Sequence, residues 1–494
     1  MVKSLAKVKS IFICENCGYE SPKWLGKCPD CNNWNTFEES LVEKKNSVAA
    51  VTKKVSLTMK PVKKLSDITS SKSDRIITGI NEFDRVMGGG IVKDSITIIT
   101  ARPGAGKSTL LLQVAHSIAH KGHKVVYASG EESDSQIKNR ADRILNNISD
   151  NIWVLQETSM DNVVHATRDI DPDLIIIDSI QTFTMENALP ARAGSPTQTM
   201  ECANELLRLA KDDKRPRAVI IVGQMTKADE LAGLRALEHL VDTVLIIEAN
   251  SDEELRGLIS SKNRFGSTGE TGFFQMTEKG MESIDNPSEY FMTKRDDGDL
   301  VSGSTLTVVK EGSRAIIMEV ESLVSKTFTP YPTRIAETLG KDKLNTLISI
   351  LEIRGGINLY DKNVIIKTTG GMRVKEPGVN LAVIMSIVSS VKNKGIPTDV
   401  AFIADVGLTG ELKKVPSLEG RIKELARMGF RKVYVAKDSF AKGFKIEGID
   451  IISLKTLNDV ITDLGCTLEY NSNTTIINSC NGSKDKNPII VISK

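Results

Sequence analysis

The stretch ARPGAGKST, residues 101–109, follows the β-branched run SITIIT and leads directly into LLLQVAHSIA. A strand, a glycine-rich turn and a helix start in that order aim backbone N–H groups and a helix N-terminus at one anion, which is the arrangement that binds phosphate. Within it Lys107 is placed to reach the β- and γ-phosphates of ATP, Ser108 to give a hydroxyl to Mg2+, and Thr109 to donate to a further phosphate oxygen. Arg102, Pro103, Gly104, Ala105 and Gly106 build the loop, and Ala101 stands where a first glycine is usual, at a strand end that tolerates a methyl group. Two acidic sites extend the set. LIIID closes on Asp178, a carboxylate at a strand end that assists Mg2+. YASGEES puts Glu131 and Glu132 at the end of another strand, where one of the two would activate the attacking water. Gln224, closing AVIIVGQ, is either a γ-phosphate sensor or an ordinary polar strand end. The chemistry these residues share is nucleotide hydrolysis.

Two further clusters stand apart from it. CENCGYESPKWLGKCPDC spaces Cys14, Cys17, Cys28 and Cys31 as two CxxC knuckles, each able to offer two thiolates at adjacent corners of a tetrahedron, so Zn2+ with four sulfur ligands and no open position is expected. The remaining cysteines are scattered, which argues against a disulfide framework. KNRFG, residues 262–266, gathers Lys262, Asn263, Arg264, Phe265 and Gly266 far downstream of the phosphate loop. In isolation it reads as a solvated basic turn. In ring-forming ATPases of the RecA type, however, nucleotide lies between subunits and a neighbour supplies the cations that stabilise transition-state charge. Arg264 suits the fork-shaped phosphate contact, Lys262 is a point charge for nucleotide or nucleic acid, and Phe265 and Gly266 shape the loop.

The elements that must hold these groups are legible in the texture of the chain. At 494 residues it exceeds one ordinary core. SITIITA, KVVYASG, DLIIIDS, AVIIVGQ and DTVLIIEA alternate with helix-length amphipathic segments, the pattern of a parallel sheet covered on both faces. The expected division is a four-cysteine zinc knuckle at 10–37, a linker at 38–74, an ATPase domain at 75–285, a hydrophilic linker at 286–304, a second α/β or α+β unit at 305–465 and a tail at 466–494. The net charge of +2 hides a basic start, since residues 1–65 hold 12 Lys against 6 Asp and Glu. No apolar run reaches the roughly 20 residues of a membrane span, and the N-terminus has no long apolar signal core, so a cytoplasmic protein is expected.

The order of motifs resembles the bacterial RadA (Sms) family. The likeness rests on the four-cysteine knuckle, TGINEFDRVMGGGIV, the phosphate loop, SGEES, IIIDSIQT, VGQMTKADELAGLRALEH and above all KNRFG, and it runs to about residue 465. It implies a multidomain α/β protein with a zinc-ribbon-like four-cysteine knuckle, a RecA-like P-loop ATPase core and a C-terminal Lon-protease-like α+β domain. It implies a homo-hexameric ring that promotes branch migration of recombination intermediates on single-stranded or branched DNA, with recombinase and other repair proteins as partners, and KNRFG coupling ATP to DNA. The Lon-like region carries Asn380 where the family of proteases has its Ser nucleophile and Arg421 in place of its Lys base. An amide cannot act as that nucleophile and a guanidinium stays protonated, so proteolysis is not expected. Departures from the family are Gln224 for a usual His, Leu234 for a usual Pro, and Asn345 near a usual basic position, leaving Lys341, Lys343, Arg373 and Lys375 as candidate DNA contacts. The alternative reading is a RecA/KaiC-like signalling or assembly ATPase without motor activity, which explains neither the knuckle nor the Lon-like region.

Overall fold

The computed structural model describes residues 10–14, 20–21, 24, 26–27, 37–41, 64–67, 75–224, 233–249, 254–295, 300–372, 374, 376–441 and 443–470. The side chains of Cys14, Cys17, Cys28 and Cys31, together with Arg373 and Lys375, lie outside the described residues. The chain divides into two units, Met1–Ser70 and Ser71–Lys494. In the first, β1 (Ser10–Cys14) pairs antiparallel with β2 (Glu20–Ser21) and with β3 (Phe37–Leu41), so that Cys14 ends the central strand opposite Phe37.

In the second unit the short antiparallel pair β4 (Arg75–Ile76) and β5 (Ile91–Val92) brackets α1 (Asn81–Val86). There follow β6 (Ile96–Ala101), α2 (Lys107–His120), β7 (Val125–Ser129), α3 (Asp134–Ile144), β8 (Ile152–Gln156), α4 (Met160–Ile170), β9 (Leu174–Asp178), α5 (Pro196–Ala210), β10 (Ala218–Gln224), α6 (Gly233–Leu240) and β11 (Thr243–Ala249). β12 (Leu255–Asn263), β13 (Thr271–Thr277) and β14 (Gly280–Ser283) complete one sheet in the order β14-β13-β12-β11-β6-β10-β9-β7-β8. The strands from β11 to β8 are parallel, with α1, α2 and α3 covering one face and α4, α5 and α6 the other; the edge strand β8 is partly exposed, whereas β6, β7, β9 and β10 are buried. Burial on both faces is what makes them continuous β-branched runs in the sequence. β12, β13 and β14 add antiparallel, an extension the parallel-sheet reading omits; their connections are too short for the crossover that a parallel strand needs. β10 separates the phosphate-loop strand β6 from the Asp178 strand β9, the RecA-like arrangement.

The remainder builds a second sheet. α7 (Pro287–Tyr290) precedes β15 (Ser304–Glu311), β16 (Arg314–Lys326), β17 (Arg334–Ala336), α8 (Lys341–Gly355), β18 (Lys362–Thr368), α9 (Asn380–Lys392), β19 (Val400–Ile403), β20 (Asp405–Val406), β21 (Leu412–Lys413), α10 (Leu418–Arg427), β22 (Lys432–Ala436), β23 (Asp450–Leu454) and α11 (Leu457–Tyr470). Strand order is β17-β18-β16-β15-β19-β22-β23, with β20 and β21 a separate ribbon. α8, α9 and α11 pack on one face and α10 on the other. The stretch 286–304, expected as a linker, begins inside this core: Ile317 N donates to Ser288 Oγ at 3.1 Å and Phe291 packs with Ile316 and Met318. In the sequence its hydrophilic second half masks the contribution of Tyr290 and Phe291. α11 continues past Gly465 to Tyr470, into the segment expected as tail.

Arg421 is 2 % exposed and fully committed, with Nη2 donating to Glu376 Oε2 at 2.9 Å and Nη1 to Val308 O at 2.6 Å. Asn380 Nδ2 donates to Asp405 Oδ1 at 2.7 Å. Lys343 donates to Glu376 O at 3.2 Å and burial lowers its pKa, so its ammonium is partly withdrawn from solvent.

Candidate functional site

The phosphate loop leaves β6 at Ala101, whose place in the strand, paired with Gln224 and Ile247, accommodates the methyl group. Gly104 (φ +79) and Gly106 (φ +102) adopt left-handed backbone. A Cβ at Gly104 would meet nothing within 4 Å, whereas one at Gly106 would lie 2.6 Å from Met276 Cε and 2.9 Å from Met281 Sδ. The first glycine leaves open space where a phosphate fits, and the second lets the loop sit on β13 and β14. Lys107 Nζ donates to Ala101 O at 3.0 Å and to Arg102 O at 3.4 Å, folding the ammonium over the loop. Burial lowers its pKa against the opposing pull of Asp178 and Glu131, so both carboxylates lie within electrostatic reach of it.

Ser108, at the start of α2, donates to Asp178 Oδ2 at 2.7 Å. Tyr127, on β7, donates to the same oxygen at 2.6 Å, and its phenol is pushed well above its ordinary pKa by burial and then by the Asp178 charge. A hydroxyl and a carboxylate oxygen in contact at the base of a phosphate loop form an all-oxygen donor set that suits Mg2+. The two glutamates separate. Glu132 is held by Arg140 in a bidentate pair, Nη1 to Oε2 at 2.6 Å, and that bond raises the Arg140 pKa. Glu131 turns to the sheet end, where Gln224 Nε2 lies 3.0 Å from both its oxygens and Ser179 Oγ donates to Oε1. Lys107, Ser108, Asp178, Glu131 and Gln224 therefore converge on one end of β6, β7, β9 and β10, and Glu132 stands aside from them.

KNRFG is at the other end. Asn263 pairs with Thr243, which pairs with Thr97 near the start of β6, while the phosphate loop leaves β6 beyond Ala101. The intervening strand spans about 13 Å at roughly 3.3 Å per residue. Arg264 is 56 % exposed, with Nη1 on Asp242 Oδ1 at 3.1 Å, and Asp242 is 3 % exposed. Asp242 also accepts from Lys211 at 3.2 Å and from Ile96 N at 3.2 Å. Lys262 is tied to its own chain: its ammonium donates to Glu238 O at 2.5 Å and Val241 O at 2.8 Å, at the C-terminal end of α6, and partial burial lowers its pKa with Arg264 adding to the effect. Arg264 is thus the cation this tip presents outward.

Residues 12–39 match the family described as "Rubredoxin metal binding domain" and residues 62–230 the family described as "AAA domain". The chain is 40 % identical over 465 residues to the DNA repair protein RadA of Bacillus subtilis (strain 168), covering 93 % of this chain and 100 % of that protein. It is 42 % identical over 460 residues to the DNA repair protein RadA of Streptococcus pyogenes serotype M3 (strain ATCC BAA-595 / MGAS315), covering 92 % and 99 %. The chain belongs to the RadA family. Among solved structures it is similar to the crystal structure of the RadB recombinase at 22 % identity and a TM-score of 0.35, over 42 % of this chain and 100 % of that one, which adds nothing to the fold already described. The RadA-family chain thus has a zinc ribbon and a RecA-like ATPase core. Among the described residues, no helix is long and apolar enough to cross a membrane.

Several residues at the RadA-family site escape a reading of the sequence. Tyr127 sits inside a run that reads as plain strand, and Arg140 sits in the polar helix following SGEES; neither pattern signals a contact to Asp178 or Glu132. Ser179 is visible, directly after Asp178, but only the fold turns its hydroxyl to Glu131. Asp242 ends a helix-to-strand turn and gives no sign in sequence that it holds Arg264.

Proposed function

We propose that the chain is a DNA-dependent ATPase of homologous recombination, a homo-hexameric ring in which each nucleotide is completed by the next subunit and hydrolysis drives branch migration along single-stranded or branched DNA. The observation that carries it is the position of Arg264, outward at the opposite end of the sheet from its own Lys107, so a phosphate contact from Arg264 reaches only a neighbour's nucleotide. The DNA role rests on the relatives named for DNA repair. In this reading Lys107 and the loop N–H groups bind the phosphates, and Ser108 and Asp178 hold Mg2+, which when bound neutralises charge on the β- and γ-phosphates. Glu131, oriented by Ser179 and Gln224, takes the proton of the attacking water, while the Arg140 pair keeps Glu132 as a support for the loop. Zn2+ on the four N-terminal thiolates would serve folding of the ribbon.

Steady-state hydrolysis with and without single-stranded DNA at two salt concentrations tests the proposal. Stimulation that falls as salt rises is expected, because phosphate contacts release counterions; turnover indifferent to DNA would contradict it. The glutamate assignment predicts a split. Glu131→Gln should lower kcat by about 10²-fold with ATP still bound, whereas Glu132→Gln should keep most turnover. Equal losses in single-turnover assays would refute the division of roles.

A further inference from the structure

The KNRFG tip is tied to two other parts of the second unit. On one side it rests on the glycine turn after α1. Asn263 Nδ2 donates to Val86 O at 3.2 Å, and its Oδ1 accepts from Phe265 N at 2.9 Å. Arg75 spans the seam, with Nη2 to Phe265 O at 2.9 Å and Nη1 to Gly90 O at 3.1 Å. The backbones touch: a Cβ on Gly266 would lie 2.9 Å from Gly88 Cα, and one on Gly88, at φ +83, 3.0 Å from Gly266 Cα. Only glycine at both positions permits this approach.

On the other side, the loop that follows Gly266 ends at Glu270, which is 6 % exposed. Its Oε1 accepts from Ser313 N at 2.9 Å, and its Oε2 from Ser313 Oγ at 2.9 Å and from Arg85 Nη1 at 2.8 Å. Ser313 belongs to the β15–β16 turn of the second sheet. The adjoining Gly312, at φ +60, would bring a Cβ to 2.7 Å from Gly269 O and 2.8 Å from Glu270 Cα. Arg314 of the same turn donates to Glu82 Oε1 at 2.7 Å, and Glu82 also pairs with Arg85. Two buried carboxylates are therefore matched by two guanidiniums, Arg85 from α1 and Arg314 from the second sheet, and none of the four groups is left as an uncompensated charge.

We infer that Glu270 and Gly312 are positioning residues through which the second sheet sets where Arg264 points, so that the C-terminal domain acts on ATP turnover by seating the tip. The inference rests on the proposed role of Arg264 in a neighbour's site. It explains why a tip that is half exposed is joined at both ends to buried partners, since a displacement of about 1 Å at a reacting group can cost as much as 10²-fold in rate.

The test compares full-length Glu270→Ala, Glu270→Gln and Gly312→Ala with Arg264→Ala in steady-state ATP hydrolysis. Glu270→Ala and Gly312→Ala should lower kcat by about tenfold or more while leaving the KM for ATP unchanged, because the phosphate loop is at the far end of the sheet. Glu270→Gln, which keeps an acceptor for Ser313 N, should recover most of the loss. Adding Arg264→Ala to Glu270→Ala should cost no more than Arg264→Ala alone. Gly312→Ala changes no residue of the ATPase sheet and supplies the reading should Glu270→Ala fail to fold. Full kcat in Gly312→Ala and in folded Glu270→Ala, beside a clear loss in Arg264→Ala, would overturn the inference and spare the proposed finger. So would losses that multiply in the double variant. No loss in Arg264→Ala would overturn both.

Discussion

Arg264→Ala is expected to lower kcat for ATP hydrolysis by about 10³-fold while leaving the ATP affinity of the isolated subunit unchanged. The expectation follows from placement. Arg264 and Lys107 lie at opposite ends of the parallel strands, so removing the guanidinium takes nothing from the nucleotide site of its own chain. On the proposed reading it takes charge stabilisation at a neighbour's γ-phosphate, an interaction made chiefly in the transition state, and its loss would lower kcat and kcat/KM together. Arg264→Lys should recover little, because an ammonium lacks the planar fork. The variant must also release Asp242, which is buried and keeps Lys211 and Ile96 N as partners. Stability should therefore change little, and a thermal unfolding midpoint close to wild type beside the kinetic loss would separate the two effects. A variant that binds ATP poorly would place the cation in its own site and contradict this account.

Lys107→Ala should have the opposite signature, losing ATP affinity as well as turnover, with kcat down by about 10²- to 10³-fold. Its ammonium is folded over Ala101 O and Arg102 O and feels both Asp178 and Glu131, so it is poised to move onto the phosphates when nucleotide enters. Without it, Asp178 and Glu131 face the incoming anion with less opposing charge. Titration with a fluorescent ATP analogue reads the affinity and a phosphate-release assay the turnover. Unaltered affinity would mean that the loop N–H groups alone carry binding.

The two variants also show what the sequence could and could not convey. The phosphate loop is contiguous, so its residues, their order and the flanking strand and helix are all readable in one stretch; Asp178 and the glutamate pair follow because strand ends mark them. The choice between Glu131 and Glu132 is not readable, since it depends on Arg140 in the helix beyond and on Ser179 and Gln224 from other strands. The same is true of KNRFG. Its basic character is local, but the tie of Lys262 to Val241 O, the grip of Asp242 on Arg264 and the seat formed by Gly88 are contacts between residues far apart in the chain. The segment 286–304 shows the complementary limit. Its hydrophilic half is obvious, whereas the burial of Ser288 and Phe291 depends on strands that come later.

The central claim is that one subunit's phosphate loop works with another subunit's Arg264. Mixing Glu131→Gln subunits, which lack the carboxylate proposed to activate water but keep the tip, with Arg264→Ala subunits, which keep the carboxylate but lack the tip, tests it most directly. If the site is shared, the mixture should hydrolyse ATP faster than the sum of the two variants assayed alone, with a maximum at an intermediate ratio, because some interfaces then join an intact loop to an intact tip. A mixture that never exceeds that sum would contradict the claim.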